Sequence, residues 1–530
     1  MSDFNQALRI LSAPENRLLL TTIKRGLEKE SLRVSGEGQL AATPHPPSLG
    51  SALTHPRITT DYSEALLEMI TPPVTSVSEL LDILTDIHRF IYRNIGDEML
   101  WVNSMPCAIS SDDQVPVASY GSSNIGQMKT VYRLGLGHRY GRVMQTIAGI
   151  HYNWSVPEEC LSLLQTASGN TDSFHHYKTQ RYFDLIRNFR RNTWLLLYLF
   201  GAAPAVCRSY VRNMQHQLVP VGDDVHSLHT PFATSLRMGD LGYQSSAQEA
   251  LTVCYNNLDS YIDTLRGALT HPYPPYEAIG LKDAAGNYRQ LSTHLLQIEN
   301  EFYGTIRPKR TTRPGETPIK ALGERGVEYV EVRCIDLNPF DPVGIDAEQI
   351  HFLDVFLLYC LMADSPCTDD REYREVLDNQ KQVVYRGRDP LLRLKRNGAD
   401  VSLPVWGKEL FAAMAPVARL LDDATGTRHH GDALASLAPR LDDPGLTPSA
   451  RILDILKGER ISYFQLGLRQ ARARRDGFVA ESLDPAVADY YRQLAAKSLA
   501  DQAAIEASDS LDFETFLAGY YGQYGLPFQP

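Results

Sequence analysis

The chain has 530 residues, 43% of them hydrophobic and 22% charged, proportions that exclude a disordered, collagen-like or disulfide-scaffold protein. At about 150 residues per domain, this length allows roughly three to four domains, or one large catalytic domain with appendages. Acidic residues outnumber basic ones by 63 to 52, a net charge of -11, which is the wrong sign for sequence-independent binding to nucleic acid or anionic lipid.

At the start of the chain, Asp3 precedes any basic residue and the Leu18–Leu20 run is shorter than the apolar stretch of a signal peptide. A cytoplasmic protein is expected. Read with a two-residue period, Gly26 to Val34 puts Glu28 and Glu30 on one strand face with Leu32 and Val34. The two carboxylates would lie about 7 Å apart along the strand, either at a solvated edge or aimed at a common ligand. Further on, Asp61 follows Ile58-Thr59-Thr60, and Glu68 sits inside Leu66-Leu67-Glu68-Met69-Ile70. A carboxylate among apolar neighbours needs either a salt-bridge partner or a bound cation.

The segment Val143 to Trp154 alternates, with Gln145, Ile147, Gly149, His151 and Asn153 on one face. His151 then ends a strand on its polar side, as a structural hydrogen-bonding residue or as a ligand. The apolar run from Trp194 to Cys207 contains Gly201 and Pro204; it is short of the ~20 residues of a membrane helix and reads as core. After the alternating Gln297 to Tyr303, a Pro- and Gly-containing loop gathers Arg307, Lys309, Arg310 and Arg313, able to cradle phosphates or simply solvated. In Val327 to Cys334, Glu331 and Arg333 share a face with Tyr329 while Val330, Val332 and Cys334 take the other. They can pair with each other, or Glu331 can hold a cation and Arg333 an anion.

From about Leu403 the pattern becomes helical. Thr447 is a predicted N-cap with Pro448 at the first helical position, and Arg469, Arg472, Arg474 and Arg475 predict the exposed face of a tail helix. Seven widely spaced cysteines without a CxxC pair read as reduced thiols. Gly121 and Gly126 have P-loop spacing, but Gln127 occupies the lysine position; Gly135-Leu136-Gly137 lacks the third glycine of a dinucleotide fingerprint.

Several segments together, Arg25-Gly26-Leu27-Glu28-Lys29-Glu30, Ile58-Thr59-Thr60-Asp61-Tyr62, Ser104-Met105-Pro106-Cys107, Leu296 to Glu301, Ile306 to Arg310 and Glu328 to Arg333, resemble the bacterial glutamate-cysteine ligases. The likeness runs from about Gln6 to Asp364. It implies an α+β fold: a curved six-stranded antiparallel sheet forming a funnel-shaped active site, like glutamine synthetase and the guanidino kinases, with helices outside and a helical C-terminal region. Residues 1–400 would form the catalytic domain, and 401–530 a helical region packed on it.

By motif position the resemblance implies Mg²⁺, or Mn²⁺, held by Glu28, Glu30, Asp61, Glu68, His151 and Glu331. Arg237 and Arg333 would contact glutamate or the transferred phosphoryl group, and Tyr132, Tyr243 and Tyr303 would surround cysteine. Arg307, Lys309 and Arg310 would meet the ATP phosphates. The implied substrates are L-glutamate, L-cysteine and ATP, with no nucleic acid or membrane partner and a monomer allowed. Tyr62 stands where relatives often carry Phe. The alternatives are a related carboxylate-amine ligase with another acceptor, or a non-catalytic amino-acid or nucleotide sensor on the same fold.

Overall fold

The alternation of Lys24–Val34 produces an eleven-residue strand, β1, at the centre of the main sheet. Its neighbours are β2 (Ile58–Thr60), β3 (Leu66–Ile70), β4 (Met99–Leu100), β5 (Ile150–Ser155), β6 (Ile306–Lys309) and β7 (Tyr329–Ile335). In this computed structural model, which describes residues 3–242, 247 and 251–525, the order is β2-β3-β1-β5-β7-β6, and every pairing is antiparallel. The short β4 pairs with the end of β1, so the sheet has seven strands where six were expected.

Register decides which side chains meet. Glu28 lies opposite His151, Glu30 opposite Glu68, and Glu331 opposite Asn153. The residues between them point to the rear, where Arg25, Tyr152 and Trp154 converge on Asp354 of the Ala347–Met362 helix. That helix and the Phe174–Phe200 helix pack against one another behind the sheet. The run from Trp194 to Cys207 is buried throughout, as predicted.

Two alternating segments are not strands along their whole length. Met144–Thr146 is a 3-10 turn, and β5 begins only at Ile150. At Gly149, just before β5, the Arg237 guanidinium packs so close that a Cβ would overlap it. Likewise Glu299–Glu301 is a 3-10 turn. Its carboxylates accept from backbone N–H groups, Glu299 from Ile319 at 3.0 Å and Glu301 from Gln297 at 2.7 Å. Local alternation cannot distinguish that arrangement from a strand. Conversely, Arg307 and Lys309, expected in a loop, lie on β6.

The expectation of reduced thiols also needs correction. Cys107 and Cys207 form a disulfide across 100 residues of sequence, a proximity that only the tertiary fold creates. The other five are free; Cys160, Cys334 and Cys360 are buried and Cys367 is exposed.

The C-terminal helices strap this body together. Thr447 caps the Pro448–Glu459 helix by accepting from Ala450 N–H. The Tyr463–Ala480 helix starts in a capping box of Ser462 and Gln465. Arg469 and Arg472 are exposed on it as predicted, whereas half-buried Arg474 donates to the Phe340 carbonyl at 2.6 Å. The Pro485–Ser508 helix lies against Gly50, whose φ of 86° and contact with the Ala495 backbone leave no place for a side chain. Tyr521, in the Phe513–Gly522 helix, donates to the Gln297 carbonyl at 2.8 Å, and Tyr524, past its end, donates to Glu299. The last turns of the tail thereby fasten the 299–301 turn.

Candidate active site

On the front of the sheet the strand alternation gathers Glu28, Glu30, Glu68, His151 and Glu331. Donor atoms of Glu28, His151 and Glu331 lie within 4.8 Å of one another. His151 places Nδ1 3.2 Å from Glu28 and Nε2 3.7 Å from Glu30. Asn153 donates to Glu28 at 2.8 Å, and the Gly149 N–H donates to Glu30 at 2.7 Å. Glu331, 1% exposed, accepts from Arg333 at 2.9 Å and pairs with Lys309 at 3.1 Å. Of the two readings of this pair, the structure shows Glu331 and Arg333 bonded to each other, within a cluster of further carboxylates.

The electrostatics across this face are uneven. Burial opposes ionisation of Glu331, but Lys309, Arg333 and His151 outweigh it and hold its carboxyl well below the usual range. Glu28 is lowered as well: burial again works against the charge, while the hydrogen bond with His151 favours it. Glu68 is the opposite case, raised well above its ordinary value by burial and then by Glu28, Asp61 and Glu30. Glu30 is raised by burial, with Asp61 adding to the effect. A salt-bridge partner for Glu68 was one of the two readings, and none is found among the described residues; Arg133 is the cation opposing its raised pKa.

A cavity of about 110 Å³ opens beside these carboxylates. Glu30, Asp61, Tyr62, Tyr132, Arg237, Tyr303 and Arg333 line it, so residues expected from distant segments meet in one place. Arg237, in a 3-10 turn and 1% exposed, donates to the Arg333 carbonyl at 2.9 Å and stands 3.6 Å from Asp336. Tyr303 hydrogen-bonds Gln145 at 3.1 Å. Tyr243 lies outside the described residues.

Of the three basic residues expected on phosphates, only Lys309 reaches the carboxylate cluster. Arg307 turns back to donate to the carbonyls of Asn300, at 2.9 Å, and Phe302. Arg310 donates to the Arg325 carbonyl at 3.0 Å. The sequence reading missed Arg133, Gln145 and Asn300, which also line the cavity. Arg133 extends from the Asn124–Tyr140 helix to the Asp61 carbonyl, and nothing local marks that reach.

The sequence model of the glutamate-cysteine ligase family matches residues 8–383. A glutamate-cysteine ligase of Alcanivorax borkumensis is 51% identical, covering 98% of this chain and 100% of its own. One from Pseudomonas putida is 50% identical, covering 98% of both. The likeness thus continues through the tail, beyond the Asp364 limit expected from motifs. A Francisella tularensis glutamate-cysteine ligase solved in complex with AMP superposes with a TM-score of 0.89 at 36% identity, covering 95% of this chain and 98% of that one. By the family match and the near-complete alignment with these relatives, this chain belongs to the glutamate-cysteine ligase family.

Proposed function

We propose that the front of the sheet performs the ATP-dependent ligation of the L-glutamate γ-carboxylate to the L-cysteine amine, the first step of glutathione synthesis. The observation that carries the reading is the convergence of Glu28, Glu30, Glu68, His151 and Glu331 on one face, beside a cavity lined by Arg237 and Arg333. A carboxylate is a poor acyl donor. Phosphorylation by ATP turns the γ-carboxylate into an acyl phosphate, the cysteine amine attacks its carbonyl, and phosphate leaves.

The donor set fits hard divalent cations. It is mostly oxygen, with one imidazole, and the raised Glu68 carboxyl reflects burial and carboxylates crowded together. Glu28, Glu30, Asp61, Glu68, His151 and Glu331 would hold Mg²⁺, or Mn²⁺ in its place. Bound there, the cation would offset the repulsion between triphosphate and glutamate. Arg237 and Arg333 supply fixed positive charge and directed N–H donors for the oxygens of the transferred phosphoryl group. Lys309, on β6, adds a point charge next to Glu331. Arg307 and Arg310, each anchored to backbone carbonyls through one guanidinium nitrogen, would meet the ATP phosphates with their other N–H groups. Tyr132 and Tyr303 form the cysteine end, with Tyr62 in the same cavity; Tyr243, assigned there by motif position, lies outside the described residues.

The reading also takes the sheet as a curved funnel wall, residues 1–400 as the catalytic unit and 401–530 as its helical support, in a cytoplasmic enzyme compatible with a monomeric state. No helix among the described residues is long and apolar enough to cross a membrane. The AMP complex of the Francisella relative supports a nucleotide site on this fold.

The test is coupled ADP release with glutamate and, in turn, cysteine, 2-aminobutyrate, glycine or no acceptor. Mg²⁺-dependent release is expected with cysteine, weaker release with 2-aminobutyrate, and little with glycine, which leaves the side-chain pocket empty. Robust turnover with ammonia and none with cysteine would overturn the acceptor assignment.

A further inference from the structure

Behind the sheet, a second cluster of ligand-type side chains lies where the ligation reaction has no use for them. Donor atoms of His351, Asp354 and His430 fall within 4.8 Å of one another. His351 and Asp354 belong to the Ala347–Met362 helix, and His430 to the first turn of the His429–Leu437 helix. His430 is 2% exposed and Asp354 fully buried. A cavity of about 750 Å³, lined by His351, His429 and His430, opens onto the group.

The imidazoles are the unfinished part. Nδ1 of His351 and Nε2 of His430 are buried without a hydrogen-bond partner. His430 Nδ1 lies 2.9 Å from Asp422, whose carboxylate also accepts the N–H groups of His430 at 3.0 Å and Gly431 at 2.9 Å. Asp422 is thereby fixed, offsets the helix N-terminus and directs the Nδ1 proton of His430 to itself. The opposite nitrogen, Nε2, is then left facing Asp354 at 3.8 Å, lone pair towards carboxylate. Only a proton or a metal ion relieves that arrangement. A carboxylate behind a histidine is also how metal-binding imidazoles are oriented.

We propose that His351, Asp354 and His430 form a second cation site, separate from the front face, for a borderline divalent ion of the Zn²⁺ class. Two imidazoles and one carboxylate select Zn²⁺ or Co²⁺ over Mg²⁺, and the cavity leaves a coordination position for water. Bonds of about 2.0–2.2 Å place donors on a tetrahedral ion roughly 3.4 Å apart, so the trio has to close by a little over 1 Å. His351 is half-buried at the cavity edge, and a rotation of its ring would supply that closure. Arg25 is the opposing charge. Its Nε binds Asp354 at 2.7 Å, while its Nη1 is directed to the carbonyls of Ile23 at 2.8 Å and Thr75 at 2.6 Å. The ion would tie the rear helix of the ligase body to the C-terminal helices.

The experiment uses the full chain, stripped with chelator and returned to saturating Mg²⁺ so that the front carboxylates are occupied. Co²⁺ is the probe, followed by equilibrium dialysis and its visible absorption, with Zn²⁺ as competitor. Wild type should bind one more equivalent of Co²⁺ than His351→Asn, with bands of a nitrogen-ligated ion that Zn²⁺ abolishes. The variant should lose at least about tenfold in affinity at this site. Zn²⁺ should raise the thermal midpoint of wild type and not of the variant, with ligase turnover in Mg²⁺ alone unchanged. If His351→Asn folds poorly, His351→Phe, which retains a ring against His429, gives the same comparison. Equal Co²⁺ stoichiometry in wild type and variant, or a His430 Nε2 proton that persists under saturating Zn²⁺ in ¹⁵N NMR, would overturn the proposal.

Discussion

The two faces of one strand treat buried charge in opposite ways. On the front of β5, His151 and its neighbours stand among carboxylates close enough to one another to raise Glu68, even with Arg133 nearby. On the rear, Tyr152 and Trp154 donate to Asp354, and Arg25 completes its shell. Burial opposes ionisation of Asp354, yet Arg25 first, with the Tyr152 hydrogen bond, holds it below its ordinary value. A buried carboxylate with several protein donors is held charged, whereas buried carboxylates crowded together push one another towards the neutral form. On the rear, the buried groups left without a hydrogen-bond partner include the imidazole nitrogens Nδ1 of His351 and Nε2 of His430.

The largest effect should come from breaking the completed side. Asp354→Asn leaves Arg25 buried without its counter-ion and should cost about 3–5 kcal/mol of stability. A urea midpoint measured with Mg²⁺ as the only divalent cation checks this, and turnover per folded molecule should stay near wild type. Lost turnover at an unchanged midpoint would mean that Asp354 serves the front face.

On the front, Glu331→Gln preserves volume and removes one charge. Turnover should fall by about 100-fold or more, with stability changed by no more than about 1 kcal/mol. Wild-type rates at limiting Mg²⁺ would remove Glu331 from the cation cradle. Arg333→Lys replaces a planar fork by a single ammonium, and should lower turnover by about tenfold, equivalent to about 1.4 kcal/mol. If it behaves as wild type, the pairing with Glu331 is the whole role of Arg333.

A pH scan sharpens the contrast between catalytic face and scaffold. Burial first, then Arg33 for His45 and Arg57 for His55, push both imidazoles from 6.5 down to about 4. Nδ1 of His55 accepts two backbone N–H groups, from Arg57 at 3.1 Å and Ile58 at 2.8 Å, so protonation there breaks both bonds. Between pH 6.5 and 4 the unfolded chain binds protons that the folded one refuses. The contribution of these two histidines to stability therefore falls as pH drops through that window and levels off below it. His55→Gln should reduce the slope by up to one proton, about 1.4 kcal/mol per pH unit, as read from urea midpoints. An unchanged slope would show that His55 titrates normally.

The smallest effect is expected at Cys334, which lies between these regions. Its thiol is buried and pushed up to about 12, chiefly by burial. The ligation uses no enzyme thiolate, so Cys334→Ala should keep most turnover and lose about 1 kcal/mol. Abolished turnover at an unchanged midpoint would overturn the strand register there.

The sequence alone carried the parts of this protein that depend on period and adjacency. Alternation placed Glu28 with Glu30 and Glu331 with Arg333 on shared faces, because side-chain direction in a strand is a local property. Thr447 and Pro448 marked a helix start through the same short-range chemistry. The combined motifs carried the family. Alternation misled at Val143–Ile147, which contains a 3-10 turn, and at Gln297–Tyr303, where the carboxylates of Glu299 and Glu301 bond the backbone of Ile319 and Gln297. Asn397-Gly398 signalled the hairpin of Arg393–Arg396 and Ala399–Ser402 and was passed over. Only the tertiary structure could join Cys107 to Cys207, bring Arg133 to Asp61, dock Tyr524 on Glu299, or set His430 against Asp354. Each of these joins residues more than 70 positions apart in sequence, and such proximity is settled by how sheet, rear helices and tail pack together, which no local pattern encodes.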